Sequence, residues 1–280
     1  MTRWSIGPIG FAYDDWSGVF FPKGLRAEGR LRFTVSQFSA LELDTTFYAL
    51  PSERTIESWS KAIPAGFSLS LKAPRVVTHG ELAGWLASNE ARTAFDDYLA
   101  RIAPLGRDVV TLLQFPPTFV LGEELALERF LAQAVEKHPG LRLAVEFRHR
   151  CWWRPSVTSA LTNLGVIWVA ADLAGRGESA RIPQDWNAPF PPVDTGGEIY
   201  LRLCGQHGQY EFDNHELFDA TPRLRWWLER LGDLSGRTVR CVIGNSYAGH
   251  APATANRLRR LVGEAEPPPI QASLFDGPIE

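Results

Sequence analysis

The chain has 280 residues, 45% of them hydrophobic and 22% charged, with a formal net charge of −3. This is globular composition, and the charge excludes a protein-wide basic field for nucleic acid, leaving only a local basic patch open. The three cysteines, Cys151, Cys204 and Cys241, stand far apart with no CxxC, which argues against a disulfide framework or zinc cluster and fits a reducing cytoplasm.

In chain order, the opening MTRWSIGPIGFAYDDW lacks a basic region ahead of an apolar run, so no signal peptide is expected. Eight short apolar runs then recur at roughly 33-residue spacing, the length of a strand–loop–helix–loop unit. They are WSIGPIGF (4–11), LELDTTF (41–47), FSLSLKA (67–73), VVTLLQF (109–115), LRLAVEF (141–147), VIWVAAD (166–172), EIYLRLC (198–204) and RTVRCVI (237–243). Helical periodicity fills several of the gaps, over 53–63, 89–106, 125–140 and 221–234. Eight strands alternating with helices predict α/β architecture, a single (β/α)8 TIM barrel over residues 1–262. A doubly wound open sheet is the rival, and no GxGxxG follows the first strand to support it. PFPPVDTGG (189–197) reads as a proline-rich loop within the barrel, and residues 263–280 as an extended, proline-rich tail. No apolar stretch reaches the roughly 20 residues needed to span a bilayer, so no membrane partner is expected.

Polar residues gather where these strands end. Tyr13 and Trp16 follow the first strand; Glu42 and Asp44 lie on the second, ahead of Tyr48. Lys72 ends the third with His79 in its loop, Gln114 the fourth, Glu146 and Arg148 the fifth with Trp152 beyond, and Asp172 the sixth. Arg202 sits on the seventh before Gly205, and Asn245 follows the eighth. In such barrels the C-terminal strand ends build the site. Alternation puts Glu146 on the face of Ala144, hence into the barrel mouth. The expected roles follow from side-chain chemistry. Glu42, Glu146, Asp172 and His79 are candidate proton-transfer groups. Lys72, Arg148 and Arg202 would hold anionic oxygens. Tyr13, Trp16, Tyr48 and Trp152 would face or stack on a ligand, with Gln114 and Asn245 among the polar lining. The bland alternative is an ion-pair plug in which Arg202 or Lys72 merely neutralises Glu146. With no HxH or HExxH no metal ligands are assigned, no cofactor is indicated, and GxSxG and P-loop patterns are lacking.

Taken together, GFAYDDWSGVFFP (10–22), LELDTTFYALP (41–51), FSLSLKAPRVVTH (67–79), LLQFPPTF (112–119), VEFRHRCWW (145–153), YLRLCGQHGQY (200–210) and NSYAGHAPATANRL (245–258) resemble the YecE-like family called domain of unknown function 72. The resemblance implies a TIM barrel and no established reaction. Two positions depart from the family pattern: Cys204 stands where a histidine is usual, and Gly244 where the first of two asparagines is usual.

In the tail, QASLFD (271–276) resembles the short peptide by which bacterial replication and repair proteins dock on the sliding clamp, with Gln271 as the amide anchor and Leu274 and Phe275 as the apolar one. Two classes of function therefore stand side by side. One is an enzyme acting on a phosphate- or sugar-containing ligand, nucleic-acid linked if the tail docks. The other is a non-catalytic binding or adaptor protein recruited to the clamp. Carboxylates with a raised pKa would favour the first, and carboxylates tied up with Arg and Lys the second. A glycosidase-like carboxylate pair across an open groove is a third arrangement.

Overall fold

All eight expected strands form, each shorter than the apolar run that predicted it. They are β1 (Arg3–Pro8), β2 (Ala40–Leu43), β3 (Ser68–Lys72), β4 (Val110–Gln114), β5 (Arg142–Glu146), β6 (Ile167–Asp172), β7 (Ile199–Leu203) and β8 (Thr238–Ile243). The structure is a computed structural model that describes residues 1–80, 84–106, 108–173, 193–205, 211 and 213–265. Strand β2 stops at Leu43 because Asp44 takes a helical conformation and Thr45–Phe47 wind into a 3-10 turn.

Neighbouring strands pair parallel in the order β1-β8-β7-β6-β5-β4-β3-β2. The remaining seam, β1 against β2, closes through an Ile9–Glu42 bridge and a hydrogen bond from the Gly10 amide to the Glu42 carbonyl at 2.8 Å. Gly7 lets the two strands meet there: a Cβ on it would lie 1.7 Å from the Ala40 carbonyl oxygen. The result is the (β/α)8 TIM barrel that the strand count predicted.

The long helices alternate with the strands: α1 (Ala27–Gln37), α2 (Glu53–Ala62), then after the single turn α3 (Arg75–Thr78) come α4 (Asn89–Ile102), α5 (Glu124–Lys137), α6 (Pro155–Leu164) and α7 (Thr221–Leu231). After β8, the short α8 (Asn245–Ala248) leads into α9 (Ala251–Leu261). Local signals set their ends. Ser52 and Ser88 accept from the Thr55 and Ala91 amides at 3.1 Å, and Gly165 terminates α6 in the left-handed region.

Apolar side chains sort into two layers by strand parity. Ile9, Ala40, Val110, Leu112, Ala144, Ile167, Val169, Tyr200 and Val242 fill the barrel interior. The intervening residues, such as Leu41, Leu71, Val145 and Leu203, face the helices. No helix among the described residues is long and apolar enough to cross a membrane. The tail anchors Gln271, Leu274 and Phe275, and residues 189–192 of the loop 189–197, lie outside the described residues.

Candidate functional site

Parity along the strands decides which polar residues enter the barrel mouth. Glu42 is in register with Ser70, Lys72 with Leu112, Gln114 with Glu146, and Ala171 with Arg202, all on the interior face. Five strands thus deliver Glu42, Lys72, Gln114, Glu146 and Arg202 to the polar level at the C-terminal end of the barrel interior.

Arg202 is the hub of that level and is 4% exposed. Its Nε donates to both Glu42 oxygens at 3.2 and 2.9 Å, and Nη2 donates to Glu42 Oε1 at 2.6 Å. Its Nη1 donates to Glu146, whose other oxygen accepts from Arg148 Nε. The Tyr200 hydroxyl donates to Glu42 Oε2 at 2.5 Å and lies 2.6 Å from Ser70 Oγ. Both carboxylates are completely buried. Burial pushes the Glu146 carboxyl up, but Arg148 and Arg202 outweigh it and hold it at about 2. Glu146 therefore stays ionised at neutral pH, and its role is to fix the two guanidiniums. This pair does not match a glycosidase-like arrangement across an open groove, because Glu42 and Glu146 have no exposed surface and share one guanidinium.

Lys72 differs from its neighbours. Among the described residues no carboxylate lies within 4.0 Å of its amine, which instead sits 3.6 Å from the centroid of the Phe47 ring. Burial, with Arg202 beside it, lowers this amine to about 8. His79 faces Phe47 edge-on at 4.9 Å and its Nδ1 lies 2.8 Å from Thr78 Oγ1. Burial, followed by the charges of Lys72, Arg75 and Arg148, lowers its imidazole to about 4. It is thus neutral at pH 7, able to donate or accept one hydrogen bond but not to supply a proton as imidazolium. Arg75 and His79 line two adjoining cavities of about 750 and 700 Å³, the first with Tyr48 and the second with Pro116 and Phe119.

An acidic group adjoins these cations. Burial, followed by the Glu42 charge, raises the Asp44 carboxyl from its ordinary value against the pull of Arg202 and Lys72. Burial, Asp44 and Asp213 push the Tyr13 phenol well above its ordinary value, so it remains a hydroxyl donor. Tyr48 stands exposed at the rim. Arg75 and Asp44 were not singled out as site residues from sequence, although both directly follow barrel strands, where loops converge on the site. The Cys204 thiol, pushed up to about 11 by burial, is protonated at neutral pH.

Several expected members lie elsewhere. Asp172 points outward toward α7, where it accepts from Arg223 Nε and Nη2 at 2.8 and 3.0 Å and from Trp227 Nε1 at 2.6 Å. Its register partner is Leu203, an outward residue, so it fastens a helix and does not serve proton transfer at the mouth. Trp16 has no exposed surface and packs among Tyr13, Phe20, Phe21 and His250, leaving no ring face for a ligand. Trp152 is stacked between Phe119 and Phe147 at 4.9 and 4.7 Å and donates Nε1 to the Phe119 carbonyl at 2.7 Å. Both tryptophans are packing residues because the aromatic clusters around them claim both ring faces. Asn245 accepts from the Ala251 amide at 2.9 Å and so ties α8 to α9. Gln114 is buried beside Glu146 and donates to the Phe115 carbonyl at 3.1 Å.

Comparison with known proteins agrees with this architecture. A family protein from Thermotoga maritima superposes with a TM-score of 0.74 at 26% identity, covering 94% of this chain and 100% of that one. Another from Enterococcus faecalis V583 gives 0.68 at 21% identity over 97% and 99%, a likeness of fold alone. UPF0759 protein YunF of Bacillus subtilis is 29% identical over 153 residues, 54% of this chain and 52% of YunF, so the match spans about half the length of that curated relative. Residues 5–274 match the family described as protein of unknown function DUF72, and the chain belongs to that family.

Proposed function

We propose that the barrel mouth binds a small phosphate- or sugar-bearing anion and that the protein is an enzyme acting on it. One observation carries the reading: Lys72, Arg75 and Arg148 converge on a neutral His79, and two of these cations, Lys72 and Arg75, have no carboxylate partner among the described residues. An anion entering there neutralises charge that no described carboxylate pairs directly. Glu42, Glu146 and Arg202 form the fixed scaffold beneath, while Tyr13 and Tyr48 offer hydroxyls and Asp44 a carboxyl to the rest of the ligand.

The test is calorimetry with inorganic phosphate and ribose 5-phosphate. Arg75→Ala, at an exposed position, should weaken binding about tenfold, equivalent to ~1.4 kcal/mol. Binding to the native protein should also weaken as pH rises through 8, where the Lys72 ammonium loses its proton. Absence of millimolar binding by the native protein, or affinity indifferent to both changes, would sink the reading.

A non-catalytic binding or adaptor protein is the second reading, favoured by the pinned state of Glu42 and Glu146. In that case the anion docks without reacting, and Gln271, Leu274 and Phe275 recruit the barrel to a sliding clamp.

A further inference from the structure

We infer that Lys72 is a nucleophile: its amine condenses with the carbonyl group of an anionic aldehyde or ketone to form an imine at the barrel mouth. The inference rests on the anion-binding reading above and adds to it the reacting group and the substrate class.

The chain contains only four lysines, Lys23, Lys61, Lys72 and Lys137, among 29 basic residues. Three are ordinary surface groups: Lys23 is exposed, and Lys61 and Lys137 pair with Glu57 and Asp96. Lys72 alone comes from a barrel strand. Arginine serves almost everywhere else, including beside it at Arg148 and Arg202. An arginine could hold an anion there equally well but could not act as a nucleophile, because guanidinium keeps its proton. The surroundings favour the free amine. Burial penalises the ammonium form first, the Arg202 and Arg148 guanidiniums oppose a further positive charge and outweigh the pull of Glu146 and Glu42, and among the described residues no carboxylate lies within 4.0 Å. A lysine lowered to about 8 is about one-tenth free amine at pH 7, against well under a thousandth for an ordinary one. Lys72 is partly exposed, and Phe47, whose ring centroid lies 3.6 Å from its Nζ, also lines the 750 Å³ cavity with Tyr48, Arg75 and His79.

The chemistry closes without a cofactor. The Nζ lone pair forms a bond to the carbonyl carbon, the π pair moves to oxygen, and that oxygen takes a proton as the nitrogen gives one up. A second proton, taken up from bulk solvent, then lets the carbon–oxygen bond break. Water departs and leaves an iminium cation, so amine, carbonyl compound and one proton become iminium and water. Arg75 and Arg148 would hold the substrate's phosphate or carboxylate while the Phe47 ring faces the iminium charge.

The test uses the native full-length protein with dihydroxyacetone phosphate, trapped by sodium cyanoborohydride at pH 8, followed by peptide mass mapping. The expected result is a reduced adduct on Lys72 at least tenfold above that on Lys23, Lys61 or Lys137, suppressed by excess inorganic phosphate. Labelling of the exposed lysines without Lys72, or equal labelling of all four, overturns the inference. Phosphate titration of the same preparation separates the two claims. Phosphate binding with no Lys72 adduct removes the imine and leaves the anion site standing, whereas no phosphate binding removes the anion reading on which it rests.

Discussion

Arg202→Met keeps a long side chain and removes the charge that joins β2, β5 and β7 across the barrel. Glu42 would then keep only the Tyr200 hydroxyl, and Glu146 only Arg148. Both carboxylates are fully buried, so neither can recover water. Removing one partner of a buried ion pair costs about 3–5 kcal/mol, because it strands an uncompensated charge. A second route gives a similar scale. A carboxyl held at about 2 instead of 4.5 corresponds to about 3 kcal/mol at pH 7, and Arg202 is one of two arginines supplying it. The expected loss is therefore about 3–5 kcal/mol, a large share of the ~5–15 kcal/mol that holds a typical domain together. Urea denaturation from pH 7 down to pH 4 measures it. The sign follows from the depressed folded value: this stabilisation is complete above the ordinary carboxyl value of 4.5 and is lost as pH falls toward 2. The variant has less of it to lose, so the gap between the two proteins should be widest at pH 7 and should narrow below 4.5. A deficit under ~1 kcal/mol at pH 7, or a gap that widens on acidification, would refute the buried-hub account.

Asp172→Asn should lower stability by about 1–3 kcal/mol by weakening the bonds to Arg223 and Trp227, while leaving phosphate affinity unchanged in calorimetry. Gly205→Ala should lower the melting temperature, with a cost above ~1 kcal/mol: Gly205 has φ of +67°, and a Cβ would lie 2.0 Å from the Ser246 carbonyl oxygen. For the tail, the full-length chain should bind a purified bacterial sliding clamp with micromolar affinity and a chain ending at residue 265 should not; equal behaviour of the two removes the docking role of Gln271, Leu274 and Phe275.

The barrel was legible because each strand overlaps a short apolar run, four of them (β3 to β6) ending on a polar residue, and the parity reading of β5 placed Glu146 in the interior. The same parity, applied to Ile167, Val169 and Ala171 on β6, turns Asp172 outward; position at a strand end was the weaker guide. The helices α1, α6 and α9 were less visible. In α1 the buried face includes Gly29 and Thr34, and in α9 it includes Ala251, Pro252 and Thr254, small or polar residues that periodicity overlooks. Trp16 and Trp152 illustrate another limit, since a tryptophan beside a strand end serves packing or ligand equally well until its ring neighbours are known. The Glu42–Arg202–Glu146 bridge joins residues as much as 160 positions apart, and only the closed barrel brings them together.

Both the anion site and the imine chemistry depend on Lys72 being an amine with no carboxylate partner among the described residues. With only four lysines in the chain, protein labelled with ¹³C at lysine Cε gives a spectrum in which Lys72 is assigned by comparison with Lys72→Arg. Titration should show the Lys72 signal changing with a midpoint near 8. A Lys72 midpoint at the ordinary 10.5 would mean that its ammonium is solvated or paired, and would contradict the account.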